Sequence, residues 1–149
     1  MKVLFVCHGN ICRSPMGEMI LKEKLRQRGI GGWEVDSAAG STEELGNPVY
    51  PPARRELARR GIPCSDHRAR LMTRGDYEHF DVILCMDEEN LRLLSRIVKD
   101  DRGKIKKLMS YTGRGGDVAD PWYTGDFARA YRDIEEGCEG FLRAWEEAQ

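Results

Sequence analysis

The sequence predicts an α/β fold in which helices cover both faces of a parallel sheet. Two short apolar runs, Lys2–Val6 and Phe80–Met86, have the length and the residue types of buried strands. A segment with helical periodicity follows each of them, and strands that alternate with helices are typical of a parallel sheet. The chain has 149 residues and no repeat, linker or low-complexity tract. We therefore expect one domain over residues 1–149.

The first half of the chain continues from the first strand with two helices and a second strand. Pro15 suits the first turn of a helix, and Gly29 and Gly61 end helices at their carboxyl termini. Three prolines and a glycine before the second helix predict a loop. The expected elements are a helix over Met16–Arg28, a strand over Trp33–Val35, a loop over Gly46–Pro52 and a helix over Ala53–Arg60.

The second half contains the strongest strand, Phe80–Met86, and the clearest helix. The final helix has apolar residues at alternating spacings of four and three, which predict one stripe packed on a sheet. These residues are Phe127, Tyr131, Ile134, Cys138, Phe141 and Trp145. The other expected elements are a helix over Glu88–Val98, a strand over Lys104–Met109 and a glycine-rich loop over Gly113–Asp117.

The charge and the cysteine content argue against several classes of protein. The 24 basic and 25 acidic residues nearly cancel, which is untypical of proteins that bind nucleic acid or a membrane surface. The apolar run Val3–Val6 is too short for a signal peptide or a membrane span. The five cysteines are unevenly spaced and predict neither a disulfide framework nor, with the three histidines, a metal site. We expect a cytoplasmic protein that uses no metal or other cofactor.

The segment Cys7–Pro15, CHGNICRSP, connects the first strand to the first helix. Ligands of parallel α/β sheets bind outside the carboxyl ends of the strands, and the free amides at a helix N-terminus attract anions. Gly9 permits a tight turn, and the guanidinium of Arg13 matches two phosphate oxygens. The same field stabilises a thiolate at Cys7. An isolated Cys-x5-Arg match is most often accidental. Here a strand precedes the match and a helix follows it, and this context favours Cys7 as a nucleophile that attacks phosphorus.

The segment VLFVCHGNICRSPMGE resembles the low-molecular-weight protein tyrosine phosphatases, and the resemblance covers nearly the whole chain. Similar segments of that family fall at DSAAGS, GIPCSDHRARLMT, FDVILCMDEENL and DVADPWYTGDF. The resemblance implies a four-stranded parallel sheet flanked by helices. It also implies metal-independent hydrolysis of phosphotyrosine in proteins or peptides through a phosphocysteine intermediate, with inorganic phosphate as product and competitive ligand. The oligomeric state stays open between a monomer and a weak homodimer.

The resemblance also assigns roles to individual residues. Cys7 is the nucleophile, Arg13 binds the phosphoryl oxygens and Ser14 hydrogen-bonds to the sulfur. Asp120 is the general acid that protonates the leaving oxygen and then activates water, although Asp-Pro by itself equally indicates a turn. Backbone amides complete the phosphate cradle and belong to His8, Gly9, Asn10, Ile11, Cys12 and Ser14.

Three further residues are expected to hold the shape of the loop between Cys7 and Ser14. Asparagine tolerates the left-handed backbone conformation better than most residues, so Asn10 suits a sharp turn. By the resemblance, its side chain ties the loop to Ser37 and His67. For His67 alone, a structural role is already the simpler interpretation.

Trp122 and Tyr123 are expected to form an aromatic wall beside the phosphate site. The sequence DPWY departs from the DPYY of animal members of the family, and the bulkier Trp122 bears on the substrate range. The opposite wall departs further, because Glu43 and Glu44 occupy a stretch that often contains an aromatic residue. These carboxylates leave the peptide preference open, and Tyr50 is a candidate for the missing ring.

The second cysteine of the loop has two interpretations. Cys12 either forms a reversible disulfide with Cys7, as in family members that have both cysteines, or is a small buried side chain. We expect Cys64, Cys85 and Cys138 to be structural.

Three other functions remain as alternatives. Arginine phosphatases of this fold typically have threonine at the position of Ile11 and lack the aromatic pair. Arsenate reductases need further cysteines that approach one another, whereas Cys85 lies alone in an apolar strand. An inactive phosphate-binding module is disfavoured because Cys7, Arg13 and Asp120 are all present.

Overall fold

The computed structural model describes residues 1–149 and contains one four-stranded sheet. The strands lie in the order β2-β1-β3-β4, and all three neighbouring pairs are parallel. Their bounds are Lys2–Cys7 for β1, Glu34–Ala39 for β2, Val82–Cys85 for β3 and Ile105–Lys107 for β4. The predicted four-stranded parallel sheet is confirmed.

Six α-helices and one 3-10 helix accompany the strands. None of these helices has both the length and the apolar character required to cross a membrane. The α-helices are α1 (Arg13–Gln27), α2 (Pro51–Arg59), α3 (Arg74–His79), α4 (Glu88–Ser95), α5 (Pro121–Thr124) and α6 (Phe127–Glu147), and the 3-10 helix is Leu108–Tyr111.

The side chains of β1 alternate between two cores, as the pleat of a strand requires. Val3 and Phe5 point into the larger core, which they share with residues of α1, α2 and α6. Leu4 and Val6 point into the smaller core with residues of α3 and α4. Helices therefore cover both faces of the sheet, as predicted.

The apolar stripe of α6 faces the larger core, where this helix packs mainly on α1, α2 and the 3-10 helix and not, as predicted, directly on the sheet. Ile134, Cys138 and Phe141 are buried, and the ring of Trp145 meets that of Trp33 edge to face at a centroid distance of 5.0 Å. The predicted helix is confirmed.

Several element boundaries differ from those predicted. β2 runs on to Ala39, because it pairs with β1 as far as the partners Cys7 and Ala39. Its second half, Ser37-Ala38-Ala39, consists of small residues, so hydrophobicity alone does not reveal it. α2 begins at Pro51, inside the predicted loop, since prolines fit the first helical turn, where their missing amides need no partner.

The other differences concern the ends of predicted elements and two short helices. α1 begins earlier than predicted, β3 and β4 are shorter, and α4 ends at Ser95. α3 and α5 were not predicted, because six and four residues are too few to display a periodicity. The reciprocal hydrogen bonds between Thr73 and Asp76 cap α3, and this spacing is a sequence signal for a helix start.

Candidate active site

A pocket opens at the carboxyl end of β1, where the loop between Cys7 and Ser14 turns into α1. Three segments surround it: this loop, the segment after β2, and the start of α5. The lining residues are Cys7, His8, Gly9, Ile11, Cys12, Arg13, Glu43, Glu44, Asp120, Trp122 and Tyr123. The structure thus brings most of the residues predicted for the site around one cavity.

Cys7 is the last residue of β1, and its side chain is 3% exposed. Its sulfur accepts hydrogen bonds from the backbone amides of Asn10 at 3.3 Å and Ser14 at 3.4 Å. The hydroxyl oxygen of Ser14 lies 3.0 Å away. The side chain of Cys12 does not cap the start of α1. The free amides and the positive end of the helix dipole therefore remain available at the loop. These donors stabilise negative charge at the sulfur.

Asn10 fixes the unusual backbone of the loop through its side chain. It is the only residue other than glycine with a positive φ, 62°, and it is fully buried. Its amide nitrogen donates to the hydroxyls of Ser14 at 2.8 Å and Ser37 at 3.0 Å. Its amide oxygen accepts from Nε2 of His67 at 2.8 Å and from the backbone amide of Arg70 at 3.2 Å. The expected contacts among Asn10, Ser37 and His67 are therefore present.

Arg13 is 2% exposed and is held at three points. Its Nη1 donates to a carboxylate oxygen of Asp87 at 2.6 Å and to the carbonyl of Val118 at 2.8 Å, and its Nη2 lies 3.3 Å from Asp120. Burial alone lowers the pKa of Arg13, but Cys7, Asp87 and Asp120 raise it above its usual value. The guanidinium therefore stays charged and has a fixed orientation.

Asp87 is a site residue that the sequence analysis missed. Asp87 lies two residues after the end of β3. Its side chain also caps α4, because it accepts a hydrogen bond from the backbone amide of Asn90 at 2.9 Å. Its position after a strand next to β1 was a usable signal, because the carboxyl ends of neighbouring parallel strands share one edge of the sheet.

Asp120 lies at the N-terminus of α5, on the far side of the pocket from β2. One carboxylate oxygen accepts from the amide of Trp122 at 3.0 Å, and the other faces Arg13. Its side chain is 25% exposed. The carboxylate therefore borders both the loop that carries Cys7 and solvent, which a proton donor to a leaving group requires.

The aromatic wall consists of Trp122 and Tyr123, which are 51% and 84% exposed. The ring of Tyr50 packs behind Trp122 at a centroid distance of 4.8 Å and lies 6.0 Å from the ring of Phe127. Tyr50 is therefore a support for Trp122, and the idea that it replaces an aromatic residue of the opposite wall is wrong.

The opposite wall is formed by residues 41–46, which we name the rim loop. Glu43 and Glu44 line the pocket there. A Cβ atom at Gly9 would lie 3.1 Å from Cγ of Glu44, so the glycine lets the rim loop pack directly on the loop that carries Cys7. The side chain of His8 joins Glu43 to Glu89, a contact that the sequence analysis did not predict.

All five cysteines are free thiols. Burial, with a smaller contribution from Cys7, raises the pKa of the Cys12 thiol far above its usual range. Cys12 is therefore protonated at neutral pH. Its small side chain packs with Ile11 and Ala69, which agrees with the interpretation of a buried structural residue in the reduced protein.

One group of side chains has the composition of a metal site. Ligand atoms of Glu18, Asp36 and His67 lie within 4.8 Å of one another. Both carboxylates already have cationic partners, Lys22 at 2.6 Å from Glu18 and Arg70 at 3.1 Å from Asp36. The group therefore forms an ion-pair network beneath the loop that carries Cys7, and its charge does not call for a metal ion.

Comparisons with known proteins identify the family of this chain. The profile of the family described as Low molecular weight phosphotyrosine protein phosphatase matches residues 2–149. The human protein of that name is 44% identical over 147 residues, which cover 94% of this chain and 92% of the human protein. The crystal structure of YfkJ from Bacillus subtilis, 36% identical, covers 100% of this chain and 96% of its own, with a TM-score of 0.95.

A Drosophila protein described as an arginine phosphatase is also similar. Its crystal structure is 36% identical, covers 97% of this chain and 98% of its own, and has a TM-score of 0.89. The fold is thus shared by phosphatases with different described substrates, and the substrate must be argued from the site.

A thiol inside a ring of amides and a fixed guanidinium, at the end of a central parallel strand, defines the class of cysteine-containing phosphatases of this α/β fold. The chain belongs to the low molecular weight phosphotyrosine protein phosphatase family. It is an enzyme, a hydrolase of the protein tyrosine phosphatase class.

Proposed function

We propose that Cys7 hydrolyses phosphotyrosine in proteins by becoming phosphorylated and then dephosphorylated. The observation that carries this proposal is the position of the Cys7 sulfur. It accepts hydrogen bonds from two backbone amides and lies close enough to the fixed guanidinium of Arg13 to raise the pKa of that arginine. A phosphate bound by these groups has its phosphorus in front of the sulfur. Phosphoryl transfer needs little more from a protein than positioning and charge stabilisation.

In the first step, the thiolate of Cys7 attacks phosphorus as the bond to the phenolic oxygen breaks. The backbone amides from His8 to Ser14 and the guanidinium of Arg13 bind the equatorial oxygens, on which the negative charge is spread. Asp120 gives its proton to the departing phenolate. The products are free tyrosine on the substrate and phosphocysteine on the enzyme.

In the second step, water attacks phosphocysteine and Asp120, now a carboxylate, takes a proton from that water. The phosphorus–sulfur bond breaks, and the electron pair returns to Cys7 as a thiolate. The hydroxyl of Ser14 donates to this sulfur and eases its departure. Inorganic phosphate is released, and it competes with substrate for the same loop.

The remaining predicted residues position these groups. Asn10, Ser37 and His67 hold the backbone of the loop so that its amides converge on one anion. Ile11 and Cys12 contribute backbone amides and pack their side chains beneath the rim of the pocket. In this proposal, residues 1–149 act as one domain, as a monomer or weak homodimer. The protein acts in the reducing cytoplasm, where Cys7 is not oxidised to a disulfide.

The depth and the walls of the pocket favour an aryl phosphate. Trp122 and Tyr123 offer ring surfaces beside the path to Cys7. An aromatic side chain of the substrate gains contact with such rings and is long enough to bring phosphorus to the sulfur, whereas a phosphoserine side chain is shorter.

Arginine phosphatase activity is the second candidate because of the similar Drosophila structure. Arginine phosphatases of this fold typically have threonine at the position of Ile11, and here the side chain of Ile11 lines the pocket without a hydroxyl that could orient the attacking water. Arsenate reduction is less favoured, because Cys85 and Cys138 are fully buried and burial raises the pKa of both thiols far above their usual range.

The test is steady-state kinetics on a phosphotyrosine peptide, the matched phosphoarginine peptide and thioredoxin-coupled arsenate. We expect kcat/KM to be highest for phosphotyrosine. A higher kcat/KM for phosphoarginine would assign the protein to the second candidate, and turnover of arsenate alone would overturn both.

A further inference from the structure

The side chain of His8 joins two segments on the open side of the pocket. Its Nε2 lies 2.9 Å from a carboxylate oxygen of Glu43 in the rim loop, and its Nδ1 lies 2.9 Å from a carboxylate oxygen of Glu89 in α4. His8 directly follows the proposed nucleophile, Cys7. The ring therefore connects a wall of the pocket to α4 at the point where substrate enters.

This geometry specifies the protonation state of His8. A carboxylate accepts hydrogen bonds, and a neutral imidazole has only one N–H to donate. With both carboxylates ionised, the two short contacts are both hydrogen bonds only in the imidazolium, in which both nitrogens donate. Burial is the largest single influence on the pKa of His8 and lowers it, but the hydrogen bonds and charges of Glu43 and Glu89 together outweigh it and raise the pKa above its usual value.

No other cation takes the place of His8 in these contacts. Glu43 and Glu89 have no ion-pair partner besides its ring, whereas the adjacent Glu88 pairs with Lys107 at 2.8 Å. The remaining charged groups of the pocket are Cys7, Arg13, Glu44 and Asp120, and Arg13 is already bound to Asp87 and Asp120. Loss of the His8 proton would therefore leave Glu43 and Glu89 without a cationic partner, and the neutral ring could donate to only one of them.

We propose that the His8 imidazolium is a positioning residue that holds the rim loop against α4 and so fixes the wall opposite Trp122. The proposal rests on the proposed function for its effect on substrate. When His8 loses its proton, one of its two contacts is lost and a positive charge leaves the mouth of the pocket. Ser41 still donates to the carbonyl of His8, so the change loosens the Glu43 part of the rim loop and does not detach the loop. Both changes weaken the binding of an anionic aryl phosphate.

The sign of the pH dependence follows from the charged state. The contacts are complete at low pH and are lost as the pH rises through the titration of His8. We therefore expect KM for a phosphotyrosine peptide to rise with pH by about twofold to fivefold, the size of one partly exposed ion pair. The change should be larger in KM than in kcat.

The test compares the wild type with His8→Gln, Glu89→Gln and the matched control Glu88→Gln. KM and kcat for a phosphotyrosine peptide are measured between about pH 5 and 8, where histidine titrates. In His8→Gln, KM should already be high at low pH and should lack the rise. Glu88→Gln should follow the wild type, because its carboxylate does not contact His8.

A second measurement tests the contacts independently of catalysis. The imidazole of His8 is titrated by NMR in the wild type, in Glu43→Gln and in Glu89→Gln, and each substitution should lower its pKa. An unchanged pKa in both variants, or a KM profile of His8→Gln that matches the wild type, would overturn the positioning role. Absence of phosphotyrosine turnover in the wild type, with the titration as expected, would instead contradict the proposed function.

Discussion

The hydroxyl oxygen of Ser14 lies 3.0 Å from the sulfur of Cys7 and also contacts the side chain of a neighbour. The amide nitrogen of Asn10 donates to that oxygen at 2.8 Å. Since the hydroxyl accepts from Asn10, its single O–H is free to donate to the sulfur. If the sulfur is the proposed thiolate, it can only accept, and the serine hydroxyl is then the donor in this contact.

Replacement of Ser14 by alanine should slow the breakdown of phosphocysteine most strongly. A hydrogen bond to a charged group contributes about 1.5–3 kcal/mol, which corresponds to a loss of about tenfold to a hundredfold in kcat. Rapid-mixing kinetics with p-nitrophenyl phosphate should reveal a larger burst of nitrophenol, followed by a slower steady state. A variant with the kcat of the wild type would show that the hydroxyl does not assist the leaving sulfur.

Replacement of Asp120 by asparagine removes the proposed proton donor. A general acid contributes about 10²–10⁴-fold, so kcat for a phosphotyrosine peptide should fall by that range. The loss should be smaller for p-nitrophenyl phosphate, whose leaving group needs less help from a proton. Asp117→Asn is the matched control, because Asp117 lies nearby on the same segment and binds Lys107. Equal losses on both substrates would contradict a role as general acid.

Replacement of Asp87 by alanine should misorient Arg13 and remove the cap of α4. A displacement of about 1 Å in a positioned group can cost about a hundredfold in rate, and loss of a cap destabilises by about 1 kcal/mol. Asp87→Asn keeps an oxygen for Arg13 and a good capping residue, so its losses in kcat/KM and Tm should be smaller. If Asp87→Ala lowered Tm but left kcat/KM unchanged, Asp87 would be a cap alone.

Replacement of Tyr50 by alanine removes the ring behind Trp122. Aromatic pairs contribute about 0.5–1.5 kcal/mol beyond their buried area, so we expect KM for aryl phosphates to rise by about twofold to tenfold. Tyr50→Phe keeps the ring and is the control. Identical KM values in the wild type, the alanine variant and the phenylalanine variant would mean that Trp122 is positioned without Tyr50.

The contiguous part of the site was predictable from the sequence because neighbours along the chain must be neighbours in space. The span from Cys7 to Ser14, between a strand and a helix, contains the proposed nucleophile and the proposed anion cradle. The left-handed backbone of Asn10 also followed from its residue type and is confirmed by its φ of 62°.

The parts that depend on distant segments were less accessible. Asp87 is 74 residues from Arg13 and Glu89 is 81 residues from His8, and only the adjacency of β1 and β3 brings them together. The second half of β2 was missed because its pairing with β1, and not its hydrophobicity, makes it a strand.

The most direct test of the account is identification of the phosphorylated residue during turnover. The enzyme is mixed with an aryl phosphate, quenched in acid within the burst, digested and mapped by mass spectrometry. We predict a phosphoryl group on Cys7 in the wild type and in Cys64→Ser, and none in Cys7→Ser, which should also lack turnover. A phosphoryl group on any other residue, or wild-type turnover by Cys7→Ser, would contradict the assignment of Cys7 as the nucleophile.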